Sequence, residues 1–144
     1  MKGRRNPLFG GPKTPNRLLA RDNSVNLAYR GGILTLDVRK AGQGTILEIK
    51  GPLKLGPTEE AFRAQVQKLI ESGSTRLAVS LAGITELDSS GIGSLVRLFT
   101  NVKRAGGKCV FYAPTKQVSM LLKMVRLNTV FEIVDDEAAA LSRI

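Results

Sequence analysis

The sequence predicts an α/β protein: a mixed β-sheet that opens with an antiparallel hairpin, continues in β-α repeats and is packed with about four helices. Three observations carry this. Apolar residues recur with a period of 2 and then of about 3.6, in alternation, from Gly32 onward. Strands separated by helices favour parallel pairing with right-handed crossovers. The first two strands have only a Gly42-Gln43-Gly44 turn between them, so they form a hairpin at the edge of that sheet. A chain of 144 residues with 42% apolar and 5% aromatic content is one domain with an aliphatic core that needs no metal or staple.

Each element has its own signal. Ile33 to Arg39 is a strand, with Leu34, Leu36 and Val38 alternating against Thr35 and Asp37. Thr45 to Lys50 is the second, with Ile46, Leu47 and Ile49 apolar. Gly56-Pro57-Thr58-Glu59-Glu60 starts a helix, with proline near the first position and acids in the first turn. Its apolar face is Phe62, Val66, Leu69 and Ile70, and Gly73 ends it. Leu77, Val79 and Leu81 alternate as a third strand, and Ala82 to Glu86 is a short loop. Asp88-Ser89-Ser90 opens a helix with Ile92, Leu95, Val96, Phe99 and Val102 inward, closed by Gly106-Gly107. Cys109 to Ala113 is a fourth strand. Lys116 to Leu127 is a helix with Val118, Leu121, Leu122 and Val125 inward. Val130, Phe131 and Ile133 form a short strand, and Asp135 to Arg143 a final helix capped by its acids.

Residues 1–32 differ from residues 33–144, which form the folded domain. The leading segment holds five Gly, three Pro and four Asn, and seven basic residues against Asp22. It carries +6 of the formal net charge of +10. It shows no sustained period, so it is expected to be a mostly disordered basic tail, with at most a helical turn around Asn16 to Ala20. It lacks the aromatic interleaving of a single-strand binder, so direct nucleic-acid binding is not expected, and only weak contact with acidic surfaces is left to it.

Composition removes several function classes. The chain has no His, which excludes Ser-His-Asp and Cys-His nucleophile systems and His-ligated metals. Its single Cys109 permits no internal disulfide, and its place on an apolar strand predicts a buried thiol. No apolar run approaches a membrane span, and no apolar segment follows the basic start as in a signal peptide. A non-membrane-spanning, cytoplasmic protein without cofactor or metal is the expectation.

The segment that requires a chemical explanation is Leu87-Asp88-Ser89-Ser90-Gly91-Ile92-Gly93-Ser94-Leu95. Asp and Ser cap helix N-termini, and an ordinary cap accounts for those residue types. Gly91 and Gly93, however, sit in the opening of a helix, where each costs about 1 kcal/mol relative to Ala. That cost is better tolerated where something approaches the backbone closely. Val96 stands where a dinucleotide fingerprint needs glycine, and no Gly-Lys-Ser/Thr of a P-loop is present. Leu87 stands two residues before Ser89, so there is no nucleophile elbow. An enzyme is not expected.

Strand, short loop, Leu87-Asp88-Ser89-Ser90-Gly91-Ile92-Gly93, amphipathic helix, Gly106-Gly107-Lys108 and strand together resemble the STAS domain of anti-sigma factor antagonists. The resemblance runs from about Leu34 to Leu141 and includes Gly51-Pro52-Leu53 and Leu127-Asn128-Thr129-Val130-Phe131. It implies a bacterial, cytoplasmic partner-switching module of transcription regulation. The first serine after the aspartate, here Ser89 with Ser90 as the alternative, is implied to be phosphorylated by an anti-sigma factor that is also a serine kinase. The unphosphorylated form binds that partner, and a PP2C-type phosphatase restores it. The implied partner surface comprises Asp88, Ser89, Ser90, Gly91, Ile92, Gly93, Leu53 and Lys54. The other implied role is a STAS adaptor subunit of a membrane lipid-transport or sensory complex.

The chain departs from the family where members often carry Gly-Glu-Leu-Asp, since it reads Gly51-Pro52-Leu53-Lys54. The basic tail is also extra to the compact pattern. Met120 and Met124, with Leu121 and Leu122, make the third helix apolar on more than one face. Core packing is the expected account, with part of that face a candidate partner surface. Lys103, Arg104 and Lys108 are expected to be a solvated charged end near a helix C-terminus.

Overall fold

The structure, a computed structural model, describes residues 16–17, 24–29 and 32–144. Its elements are β1 (Asn16–Arg17), β2 (Ser24–Tyr29), β3 (Gly32–Ala41), β4 (Gly44–Leu53), α1 (Pro57–Glu71), β5 (Arg76–Leu87), α2 (Ser89–Arg104), β6 (Lys108–Tyr112), α3 (Lys116–Met124), a 3-10 turn (Leu127–Thr129), β7 (Glu132–Val134) and α4 (Glu137–Leu141). Among the described residues the strands form one sheet in the order β1-β2-β3-β4-β5-β6-β7. Pairs are antiparallel up to β4 and parallel from β4 to β7. The β3–β4 hairpin closes at Ala41↔Gly44, and Gly42 supplies the positive φ (63°) of its two-residue turn.

The central strands are apolar on both faces because both faces are covered. Leu47, Ile49, Leu77, Val79, Leu81, Cys109 and Phe111 meet Phe62 and Val66 of α1, Leu95, Leu98 and Val102 of α2, and Val118 and Leu122 of α3. Their alternates Ile46, Ala78, Val110 and Tyr112 meet Ala140 of α4, with Leu141 and Ile144 packed beside them. The sheet is therefore sandwiched between three helices and the short C-terminal one. Tyr112 Oη donates to Glu137 at 3.2 Å, and Arg39 reaches the same carboxylate at 2.8 Å, which ties α4 to the sheet. Cys109 is buried, and burial pushes its thiol up to about 12.

Several boundaries differ from the sequence expectation, each for a physical reason. Part of the expected tail is strand: β2 pairs antiparallel with β3 from Ser24↔Asp37 to Tyr29↔Gly32. Asn16 and Arg17, expected in a helical turn, are extended and pair with Ala28 and Leu27. The rest of the expected tail lies outside the described residues. β5 runs through the expected Ala82–Glu86 loop to Leu87, because register shifts in β4 between Glu48/Lys50 and Gly51/Pro52 keep the two strands paired. α3 stops at Met124 rather than Leu127, since Arg126 takes a left-handed conformation (φ 63°) and a 3-10 turn follows. Val130 and Phe131 consequently precede β7 instead of forming it, and α4 is confined to Glu137–Leu141 with Asp136 as its cap.

The β2–β3 ladder gives a direct prediction. Deleting residues 1–31 leaves the β3 edge unpaired. Cross-strand pairs contribute roughly 0.2–1 kcal/mol each, so the truncation is expected to lose on the order of 2 kcal/mol. The urea midpoint of the truncated chain against the full chain measures it.

Candidate functional site

The parallel strands β4 and β5 end side by side, at Leu53↔Leu87, and the chain leaves them into the α1 loop and into α2. The outer ends of parallel strands are where an open α/β sheet presents its loops and helix starts. Asp88 caps α2: its Oδ1 accepts from the Gly91 N–H at 2.9 Å. Its Oδ2 accepts from the Leu55 N–H at 3.0 Å. One carboxylate thus holds the start of α2 and the β4–α1 loop together. Burial acts to raise the Asp88 pKa. The N–H groups of Leu55, Gly91 and Ser90 and its own more than offset this and hold the carboxyl below its usual value.

Ser89, the first residue of α2, is exposed, while Asp88, Ser90, Ile92 and Gly93 are half-buried. The two glycines differ in role. A Cβ on Gly91 would lie 2.1 Å from the Leu53 carbonyl oxygen and 2.7 Å from Leu87 Cδ1. The close approach that excludes a side chain at Gly91 is therefore made by the chain's own β4. At Gly93 a Cβ would meet nothing within 4 Å.

Leu53, read as partner-binding, is placed differently from the expectation, whereas Lys54 is not. Leu53 is fully buried in the main core, so it supports the junction from beneath and its side chain does not line the surface. Its alternation with Pro52 and Lys54 in a strand end turns it inward. Lys54 is at the surface and pairs with Glu86 at 2.5 Å, a bond that raises the lysine pKa. Pro52 is accommodated because the β3–β4 ladder ends at Thr35↔Lys50, where β4 no longer needs every N–H.

Sequence reasoning missed three contributors. Leu55 is 75% exposed beside the capped helix start. Its signal was an apolar residue between Lys54 and Gly56 in a strand-to-helix loop. Glu86 is the acid that Lys54 finds across the strand pair. Glu59, in the first turn of α1, is a nearly buried carboxylate that accepts from Ser94 Oγ at 2.9 Å and lies 3.4 Å from Arg97 Nη1. It fastens α1 to α2 one turn below the cap. The signal was Ser94 itself, a hydroxyl on the buried stripe of Gly91, Leu95, Leu98 and Val102, where a polar group requires a partner.

The described residues thus form an α/β module with an exposed serine at a capped helix start beyond two parallel strands. The family model of the STAS domain matches residues 35–140, and the chain belongs to that family. Solved structures share the fold. A candidate anti-sigma factor antagonist of Thermotoga maritima is 16% identical with a TM-score of 0.70, over 76% of this chain and 93% of that one. An anti-sigma factor antagonist of Mycobacterium paratuberculosis is 15% identical with a TM-score of 0.70, over 81% and 97%. The Bacillus cell-fate determinant SpoIIAA in its phosphorylated form is 17% identical with a TM-score of 0.59, over 75% and 97%. At these identities the likeness is one of fold.

Proposed function

We propose that this chain is an anti-sigma factor antagonist that works by partner switching at Ser89. In this reading the unphosphorylated form binds an anti-sigma factor that is also a serine kinase. Phosphorylation of Ser89 releases that partner, and a PP2C-type phosphatase reverses the step. The protein is then a non-enzymatic, cytoplasmic phosphoprotein. The observation that carries the reading is the exposed hydroxyl of Ser89 at the first position of a helix whose cap, Asp88, also fixes the neighbouring loop.

The physics suits a switch that leaves the fold intact. A phosphoryl group brings about −1.5 to −2 charge and three acceptor oxygens. At the start of α2 the helix dipole favours an anion, so the domain stays folded. The same group puts bulk and charge beside Asp88 and the exposed Leu55, on the surface a partner covers. A hundredfold loss of affinity corresponds to about 2.8 kcal/mol, which one badly placed charge at an interface can supply.

The test is co-purification from the native cell with Ser89→Ala and Ser89→Asp baits, read by mass spectrometry. The expected result is a serine-kinase-like protein held by the alanine bait and lost from the aspartate bait by about two orders of magnitude in affinity. Equal retention by two folded baits overturns the switch at Ser89. Membrane-transport subunits retained equally by both would make the chain a constitutive STAS adaptor.

A further inference from the structure

The outer face of α3 is not used by the Ser89 reading. Val118 and Leu122, one turn apart, are buried against the core. Each residue turns the helix by about 100°, so Met120, two residues from both, points away from the core. Met120 is 56% exposed and Met124 76%. The expectation of core packing for these methionines is therefore corrected. Val125 and Val130, just beyond the helix, are 50% and 56% exposed. Lys116 and Lys123 share the outward face with Met120, and Arg126 follows at the turn; all three are exposed. Among the described residues none of these three cations forms an ion pair.

The charge around this face is one-sided. From Lys116 through Phe131, the stretch that forms α3 and the turn after it, the sequence has three Lys or Arg and no Asp or Glu. Lys103, at the end of α2, lies 5.8 Å from the Phe99 ring centroid, and Phe99 packs on Phe131 at 5.2 Å, next to Val130. An occupant must therefore be both apolar and anionic. A second copy of the chain is disfavoured, because a two-fold contact would set Lys116, Lys123 and Arg126 against their own like. A single convex helix face offers no walls to grip a partner helix, and a bilayer needs none. Apolar side chains between lysines, whose stems reach outward to headgroups, are the arrangement of an interfacial helix.

We propose that the Met120–Met124 face of α3 docks on an anionic lipid surface, with the methionines and Val125 at the acyl boundary and Lys116, Lys123 and Arg126 among the headgroups. No helix among the described residues is long and apolar enough to cross a membrane, so the contact is peripheral. It is independent of what happens at Ser89.

The full chain is sedimented with vesicles of phosphatidylcholine mixed with phosphatidylglycerol, and with vesicles of phosphatidylcholine alone. Partitioning is expected only with the anionic mixture and is expected to weaken with salt. Met120→Gln with Met124→Gln, both at exposed positions, is expected to lower the partition about tenfold with the melting transition unchanged. A second variant, Lys116→Gln with Lys123→Gln and Arg126→Gln, is expected to do the same. No partitioning of the full chain overturns the proposal. So does partitioning that ignores both variants, which would assign lipid contact to the basic residues 1–32. Capture of an acidic helical peptide on this face without vesicle binding also overturns it, in favour of a protein partner.

Discussion

Gly91→Ala is expected to cost about 3 kcal/mol of stability, while the same change at Gly93 is expected to add up to about 1 kcal/mol. The two positions are one helical half-turn apart and chemically identical, so only their surroundings separate them. A methyl at Gly91 would sit 2.1 Å from the Leu53 carbonyl oxygen and 3.0 Å from its carbon. Neither is the end of a flexible side chain. That carbonyl belongs to β4 at its register with Leu87, so the helix would have to retreat from the sheet. Retreat also pulls Asp88, the cap of α2, away from the Leu55 N–H of the neighbouring loop. At Gly93 the added methyl meets open space, and the helix gains by losing backbone freedom in the unfolded chain. Urea midpoints of the two variants, moving in opposite directions, would establish the distinction. A Gly93→Ala protein that is more stable yet loses its partner would show that the empty space over α2 is occupied in the complex.

Asp88→Ala is expected to destabilise by roughly 2 kcal/mol, because it removes a helix cap and leaves the Leu55 N–H without its acceptor. Asp88→Asn separates these functions. An asparagine oxygen can still accept from Gly91, but its amide nitrogen cannot accept from Leu55. The pH dependence follows from the lowered pKa. Asp88 is ionised more readily in the folded than in the unfolded chain, so its contribution is present above the ordinary value of 3.8 and is lost as pH falls through the still lower folded value. The stability gap between the native chain and Asp88→Asn is therefore expected at neutral pH and should close on acidification. A gap that stays constant down to the acid limit would show that the carboxylate charge contributes nothing.

The helices and the hairpin were legible because their apolar spacing is local. Phe62, Val66, Leu95 and Val102 are buried as their period required. β2 carried a signal too, since Val25, Leu27 and Tyr29 alternate, but the surrounding Gly, Pro and Arg content outweighed it. The second half of β5 could not be found locally. Gly83 and Ile84 read as loop until the bulged end of β4 lies beside them, and a Cβ on Gly83 would come within 3.0 Å of the Ile49 carbonyl oxygen. At the site, the Asp88 cap was legible from residue type. The bond from the Leu55 N–H was not, because it joins two loops that only the β4–β5 pairing brings together. The same pairing explains why Gly91 was recognised as costly without its reason being visible. Met120 and Met124 misled because an apolar side chain on a helix suggests burial, and only packing against the sheet decided which stripe faces in.

Among the described residues the strand order of the sheet is also its order in the chain, with every strand after the first beside the one made just before it. This has a consequence for synthesis on the ribosome. Each described strand after the first finds its docking edge already present upstream. The antiparallel hairpin, closed by two residues, can form first at little loop-closure cost and serve as the template for β5. The sheet then grows outward one crossover at a time, in the direction of translation, with α4 sealing the second face last.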